Sequence, residues 1–167
     1  MSSAGLPIYC IDTNSLMDWQ VRFYPTDVFA SLLERFDALI KEERLVAPEL
    51  VREEIGIVGS PELIAWANDR DAMFKPNAAV IAEAQSIQHR FPGLLDPKSL
   101  YEEADAYIIA MAKANPAGIV VTQETPASEK PKPKRSHFIP DVCRELGIKE
   151  VLTSDRHFEQ EGFSVLL

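Results

Sequence analysis

The chain of 167 residues is long enough for one domain with a substantial core, and 46% of its residues are hydrophobic. With 26 acidic and 17 basic side chains it carries a net charge of −9, which argues against a protein that coats nucleic acid through a broad positive field. No run approaches the roughly 18 apolar residues of a membrane span, and the first residues lack the basic region of a secretory signal. Two cysteines, Cys10 and Cys143, make neither a disulfide framework nor a zinc set, so we expect a cytoplasmic protein without membrane contact.

Short apolar runs alternate along the chain with segments of helical periodicity. Strands are predicted for the apolar runs at residues 8–11, 44–47, 73–76, 119–122 and 151–152, with an edge strand at 163–167. Helices are predicted for the periodic segments at residues 14–19, from Thr26, at 48–57, from Pro61 after the Ser60 cap, at 78–91, 102–114 and 141–146, with a terminal turn at Ser154. Strands that alternate with helices imply βαβ units, so we predict a single α/β/α domain over residues 1–167 with a central, mainly parallel sheet.

Four acidic residues stand where this topology would bring them together. Asp12 ends the first strand, and Glu54 lies on the helix after the second. Asp105 lies near the start of the helix that leads into the 119–122 strand, and Glu124 follows that strand. The carboxyl ends of parallel strands face the ligand crevice, and carboxylates gathered there repel one another unless a cation is present. A hard cation such as Mg²⁺ or Mn²⁺ prefers these oxygen ligands, and a metal site of this kind can activate water and stabilise a phosphodiester transition state.

Each of these acids also has a plainer interpretation. Asp12 could cap the following turn, and either Glu54 or its neighbour Glu53 could be a solvated helix charge. Asp105 could be a helix N-terminal charge favoured by the helix dipole. The histidines show no ligand spacing and are expected at the surface or in satisfied contacts; they are His89, His137 and His157.

Residues 129–137 form a proline-rich, basic segment on an otherwise acidic chain. Four cations fall within six residues, and they are Lys130, Lys132, Lys134 and Arg135. A solvated surface loop is the plainer interpretation. We favour an arm that contacts the phosphate backbone of RNA, because the segment lies between candidate ligands of the acidic site.

Four motifs carry a resemblance to a known family. They are Asp12-Thr13-Asn14-Ser15-Leu16, Val51-Arg52-Glu53-Glu54-Ile55, Ala104-Asp105-Ala106-Tyr107-Ile108-Ile109-Ala110 and Val120-Val121-Thr122-Gln123-Glu124. In order and spacing they resemble the PIN-domain ribonucleases, most closely the DUF4411 branch, of which residues 24–29 and 139–145 also look typical. The resemblance covers nearly the whole chain and implies a PIN-like, three-layer fold.

The resemblance implies a Mg²⁺- or Mn²⁺-dependent ribonuclease whose catalytic metal ligands are Asp12, Glu54, Asp105 and Glu124. The fourth position is normally aspartate in the family, so Glu124 keeps the charge but lengthens the arm. Asp141 is a further candidate ligand that would supply a shorter carboxylate. Cleavage of RNA would leave 5′-phosphate and 3′-hydroxyl ends.

The resemblance also assigns roles to neighbouring polar residues and to partners. Thr13 and Asn14 are expected to orient Asp12, and Thr122 to position a water or a phosphate. Many small PIN proteins are toxins held silent by a protein antitoxin, so an antitoxin is an expected partner beside RNA. A homodimer is left open.

Two other functions stay open on the sequence. A Mg²⁺-dependent phosphatase would use the strand-end Asp12 as its nucleophile, although Asn14 stands where such enzymes have a second aspartate. A catalytically weak PIN-like scaffold would bind a partner instead, and the substitution at Glu124 keeps that interpretation open. The nuclease hypothesis requires the four carboxylates to converge, and it fails if Asp105 points away from Asp12.

Overall fold

The computed structural model describes residues 5–17, 27–100, 102–132 and 135–151. Several positions named above lie outside these ranges, namely Thr26, Lys134, Leu152, Ser154, His157 and residues 163–167. Within them, five strands form one sheet: β1 (Ile8–Ile11), β2 (Leu45–Pro48), β3 (Phe74–Lys75), β4 (Gly118–Val121) and β5 (Lys149–Val151). The strand order is β3-β2-β1-β4-β5 and every neighbouring pair is parallel, which confirms the predicted α/β architecture.

The central strands are buried on both faces. Tyr9, Cys10 and Ile11 of β1 are completely buried, and Val120 and Val121 of β4 are as well. Because successive side chains of a strand point to opposite faces of the sheet, burial of consecutive residues requires cover on both sides. The sheet therefore lies between two helical layers, as predicted.

The helices begin and end close to the predicted positions. They are α1 (Asp27–Lys41), α2 (Glu49–Val58), α3 (Pro61–Asn68), α4 (Ile81–Arg90), α5 (Asp105–Lys113) and α6 (Ile139–Leu146), and residues 13–17 are also helical. Ser60 caps α3 as predicted, since its Oγ accepts a hydrogen bond from Leu63 N at 3.1 Å. No helix within the described ranges combines the length and apolarity that a membrane crossing requires.

Helix α5 begins three residues later than predicted. Glu102 accepts a hydrogen bond from the Tyr107 hydroxyl at 2.6 Å, and Glu103 accepts one from Asp96 N at 2.8 Å. These contacts use the two acidic side chains in the preceding loop, so Asp105 becomes the first helical residue.

Helix α5 is also the innermost helix among those described. Its residues from Ala106 to Ala112 are all buried, and it packs against β1, β2 and β4. A helix that is apolar all round is one that the fold encloses. Its rigid setting fixes Asp105 at the carboxyl edge of the sheet.

The junction between α5 and β4 leads to a stability prediction. A Cβ added at Gly118 would clash with the backbone of Ala112, whereas one added at Gly56 on α2 would meet open space. We expect Gly118→Ala to lower the free energy of unfolding by about 1–3 kcal/mol. Gly56→Ala is the matched control and should raise it by roughly 0.5–1 kcal/mol, because alanine is the better helix former. Urea unfolding measures both, and equal effects of the two variants would contradict this packing.

Candidate functional site

Acidic side chains from separate elements line one cavity of about 80 Å³ at the carboxyl edge of the sheet. Asp12 follows β1, Glu54 lies on α2, Asp105 begins α5 and Glu124 lies beyond β4. The structure thus brings together the four acids singled out in the sequence. The other lining residues are Thr13, Asn14, Val58, Glu103 and Arg135.

Asp12 is almost fully buried, with 2% of its surface exposed. Its Oδ1 accepts a hydrogen bond from Ser15 N at 2.7 Å, and its Oδ2 accepts one from Thr122 Oγ1 at 2.7 Å. Burial raises the pKa of Asp12 to about 6, although the bonds from Thr122 and Ser15 oppose the rise. The carboxylate therefore caps the helical residues 13–17 and lines the cavity at the same time.

Glu54, rather than Glu53, faces the cavity. Glu54 is 7% exposed, and its oxygens accept hydrogen bonds from Thr13 Oγ1 at 2.5 Å and from Ala104 N at 3.1 Å. Glu53 is exposed to solvent. Burial raises the pKa of Glu54, and the charges of Glu103 and Glu124 add to the effect.

Asp105 and Glu124 share one counter-ion, Arg135. Arg135 Nη1 lies 3.2 Å from Asp105 Oδ2, and Arg135 Nη2 lies 3.1 Å from Glu124 Oε1. Glu124 Oε2 also accepts a hydrogen bond from Ile139 N at 3.1 Å. Burial and the charge of Glu124 raise the pKa of Asp105 well above its usual range, while Arg135 opposes the rise.

The hydroxyl groups of Thr13 and Thr122 make contacts that differ from those expected. Thr13 was expected to orient Asp12, but its hydroxyl donates to Glu54 instead, because α2 places that carboxylate beside it. Thr122 is completely buried and donates to Asp12, so its hydroxyl is not presented to a water or phosphate in the cavity. Asn14 is exposed at the cavity lining, and the backbone N–H that holds Asp12 belongs to Ser15.

Asp141, the further candidate ligand, is not among the residues that line the cavity. Its Oδ2 accepts hydrogen bonds from Phe138 N at 2.8 Å and from Ala127 N at 3.1 Å. The first of these bonds closes the N-terminus of α6, where Asp141 is the third helical residue. The side chain therefore has a structural role at the start of α6. The sequence did not reveal this role, because the helix was predicted to begin at residue 141, after the proline-rich segment.

The basic segment is not a uniform arm. Lys132 is exposed, as an RNA-contacting side chain needs to be, and Lys134 lies outside the described residues. Lys130 Nζ donates to Thr125 Oγ1 at 3.0 Å and lies 4.4 Å from the centre of the Phe138 ring. Arg135, predicted to contact RNA, points inward to the acids with its side chain 14% exposed.

Sequence reasoning missed two residues of the site. Ser15 supplies the N–H bond to Asp12, and its position three residues after a strand-end aspartate is the spacing of a helix cap. Glu103 lines the cavity with Oε2 at 3.9 Å from Arg135 Nη1. No pattern in the sequence distinguishes Glu103 from its neighbours, because three acids lie within four positions there.

The donor set suits a hard cation, but the acids are at present held by other groups. Within the described ranges, no three side chains of His, Cys, Asp or Glu form a group already arranged to hold a metal ion. The oxygens of Asp12 and Glu54 accept from hydroxyl and backbone donors, whereas Asp105 and Glu124 contact Arg135. Carboxylate oxygens are nonetheless the ligands that Mg²⁺ and Mn²⁺ prefer.

The comparisons with known proteins identify the family. The family model described as a domain of unknown function, DUF4411, matches residues 9–164, and the chain therefore belongs to the DUF4411 family. The search of curated proteins gave no match, nor did that of solved structures. The DUF4411 part of the sequence interpretation is confirmed.

Burial of the acids gives a pH prediction. Between its ordinary pKa, near 4, and its raised value of about 6, Asp12 holds a proton in the folded chain that the unfolded chain has released. The free energy of unfolding of the metal-free protein should therefore fall as pH rises through this window, and Glu54 and Asp105 act in the same direction. Asp12→Asn should reduce the slope, which urea unfolding between about pH 4 and pH 8 measures.

Asp69→Asn is the matched control for this titration, because Asp69 is exposed at the end of α3. It should leave the slope unchanged. An Asp12→Asn protein with the slope of the parent chain would show that this carboxyl is not the group that titrates.

Proposed function

We propose that the protein is a metal-dependent ribonuclease with a PIN-like active site. The observation that carries the proposal is the convergence of Asp12, Glu54, Asp105 and Glu124 on one small cavity at the carboxyl edge of a parallel sheet. Carboxylates from four separate elements are an unfavourable way to build a core, because like charges gathered at low exposure repel. The resemblance of the four motifs to those of PIN nucleases suggests that these carboxylates bind a catalytic metal ion.

The four carboxylates would hold the Mg²⁺ or Mn²⁺ ion. A bound ion would stabilise negative charge on a phosphodiester and activate a water molecule for attack at phosphorus. Thr122 and Ser15 N fix the carboxylate of Asp12, and Thr13 and Ala104 N fix that of Glu54. These contacts orient both acids before any ligand arrives, which outer contacts of metal ligands commonly do.

RNA is the proposed substrate because of the family resemblance and the basic segment beside the site. Lys130 and Lys132 lie on the segment that leads into the cavity-lining Arg135. Since the whole chain carries a net charge of −9, contacts to an RNA backbone depend on such a local patch. A protein antitoxin, and pairing of two copies of the chain, belong to the same proposal through the resemblance to PIN toxins.

The test is cleavage of a single-stranded RNA in the presence and absence of Mg²⁺ or Mn²⁺. We expect metal-dependent cleavage that falls by roughly 100-fold or more in Asp12→Asn, Glu54→Gln and Asp105→Asn, because each change removes a charge from the cavity. Gel analysis of the products should show 5′-phosphate ends.

Glu53→Gln is the matched control for Glu54→Gln, because it makes the same change one position away on the exposed face of α2. Asp69→Asn, at an exposed position at the end of α3, is the matched control for the aspartate variants. Both controls should cleave RNA within a few-fold of the parent chain. Equal losses in Glu53→Gln and Glu54→Gln would contradict the assignment, and hydrolysis of a small phosphate ester without RNA cleavage would indicate a phosphatase instead.

A non-catalytic binding protein is the second candidate, favoured by one observation. Arg135 already offsets the charge of Asp105 and Glu124, so these two acids have a counter-ion without any metal. A chain that binds neither Mn²⁺ nor RNA would support this candidate.

A further inference from the structure

Arg135 occupies a position inside the acidic cavity that a cation would otherwise take. Its guanidinium contacts Asp105 at 3.2 Å and Glu124 at 3.1 Å, and Glu103 lies 3.9 Å away. The planar fork of an arginine suits two carboxylates at once. The chain itself therefore supplies one positive charge to this half of the cavity.

The position of Arg135 is built by its neighbours. Arg135 Nη1 donates to Leu94 O at 2.8 Å, and the guanidinium lies 4.6 Å from the centre of the Phe138 ring. The next residues are fastened to the same turn, since His137 N donates to Gly93 O at 3.4 Å and a Cβ at Gly93 would clash with Ser136. A side chain held from this many directions is not a solvated loop cation.

Arg135 and a divalent ion would compete for the same oxygens. Both need Asp105 and Glu124 as partners, and two cations placed side by side in a small cavity repel. Among the described residues, the hydrogen-bond donors to Asp12 and Glu54 are, in contrast, neutral hydroxyl and backbone groups. The cavity thus has one half in which the acids accept from neutral donors and one half that Arg135 fills.

We propose that Arg135 is an autoinhibitory counter-ion: a divalent metal gains Asp105 and Glu124 as ligands only when the Arg135 side chain leaves them. This inference rests on the metal site of the proposed function. It assigns to the basic segment a regulatory role, in addition to any contact with RNA, because moving residue 135 changes how many carboxylates the metal can use.

The test is Mn²⁺ binding by isothermal titration calorimetry, with the full chain. We expect Arg135→Gln to bind Mn²⁺ at least about tenfold more tightly than the parent chain, because a competing positive charge is gone. Combining Arg135→Gln with Asp12→Asn should abolish this gain, which places the bound ion in the cavity. Arg144→Gln is the matched control, since Arg144 pairs with Glu150 on an exposed surface, and it should leave Mn²⁺ affinity unchanged.

Thermal unfolding gives a second measurement that does not depend on RNA. Arg135→Gln should unfold at a lower temperature than the parent chain without metal, and Mn²⁺ should raise its Tm by more than it raises that of the parent chain. Arg135→Lys keeps the charge and loses the fork, so it should bind Mn²⁺ with intermediate affinity. If Arg135→Gln does not fold, the Mn²⁺ titration is carried out with Arg135→Lys instead.

The outcomes separate this inference from the ribonuclease proposal. Tighter Mn²⁺ binding without RNA cleavage in any variant would support the counter-ion role and overturn the ribonuclease. Metal-dependent RNA cleavage, together with unchanged or weaker Mn²⁺ binding in both Arg135 variants, would overturn the counter-ion role and make Arg135 a positioning residue. Absence of Mn²⁺ binding in every variant would overturn both.

Discussion

The structure at the carboxyl edge of the sheet is constrained by the need to stabilise several carboxylates that have little contact with solvent. Three donors come from backbone positions at helix starts: Ser15 N binds Asp12, Ala104 N binds Glu54 and Ile139 N binds Glu124. Helix N-termini carry partial positive charge, so each of these donors stabilises a carboxylate. The helices that pack around the sheet are therefore also what makes the acidic cavity tolerable.

These donors do not remove the whole electrostatic penalty. The pKa of Asp105 stays well above its usual range even though Arg135 contacts it, and burial raises the pKa of Asp12 to about 6. A fold selected for stability alone would replace such acids with apolar side chains, as buried ion pairs often allow. Retaining them at one edge of the sheet is the pattern expected when a site is kept at some expense of stability.

The sequence predicted the frame of the structure better than the details of the site. Buried apolar runs fixed β1 and β4, and strand ends then located Asp12 and Glu124. Neighbouring residues on a helix differ in direction by about 100°, so pattern alone left Glu53 and Glu54 as rivals until packing exposed one and buried the other. Arg135 points inward because it contacts residues far from it in the sequence, such as Asp105, which lies 30 positions earlier. The run of basic residues alone does not indicate which of them makes such a contact.

Glu124 and Arg135 both line the acidic cavity, and each is a contact partner of the other. Glu124 uses one oxygen for Arg135 and the other for Ile139 N at the start of α6. An aspartate is shorter by one methylene, so its carboxylate would reach less far from the same backbone position. The longer arm thus keeps the carboxylate on the internal cation, and the same arm would have to turn toward an incoming metal once Arg135 departs. Glu124 thus links the basic segment to the acidic cavity, together with Asp105, which contacts Arg135 as well.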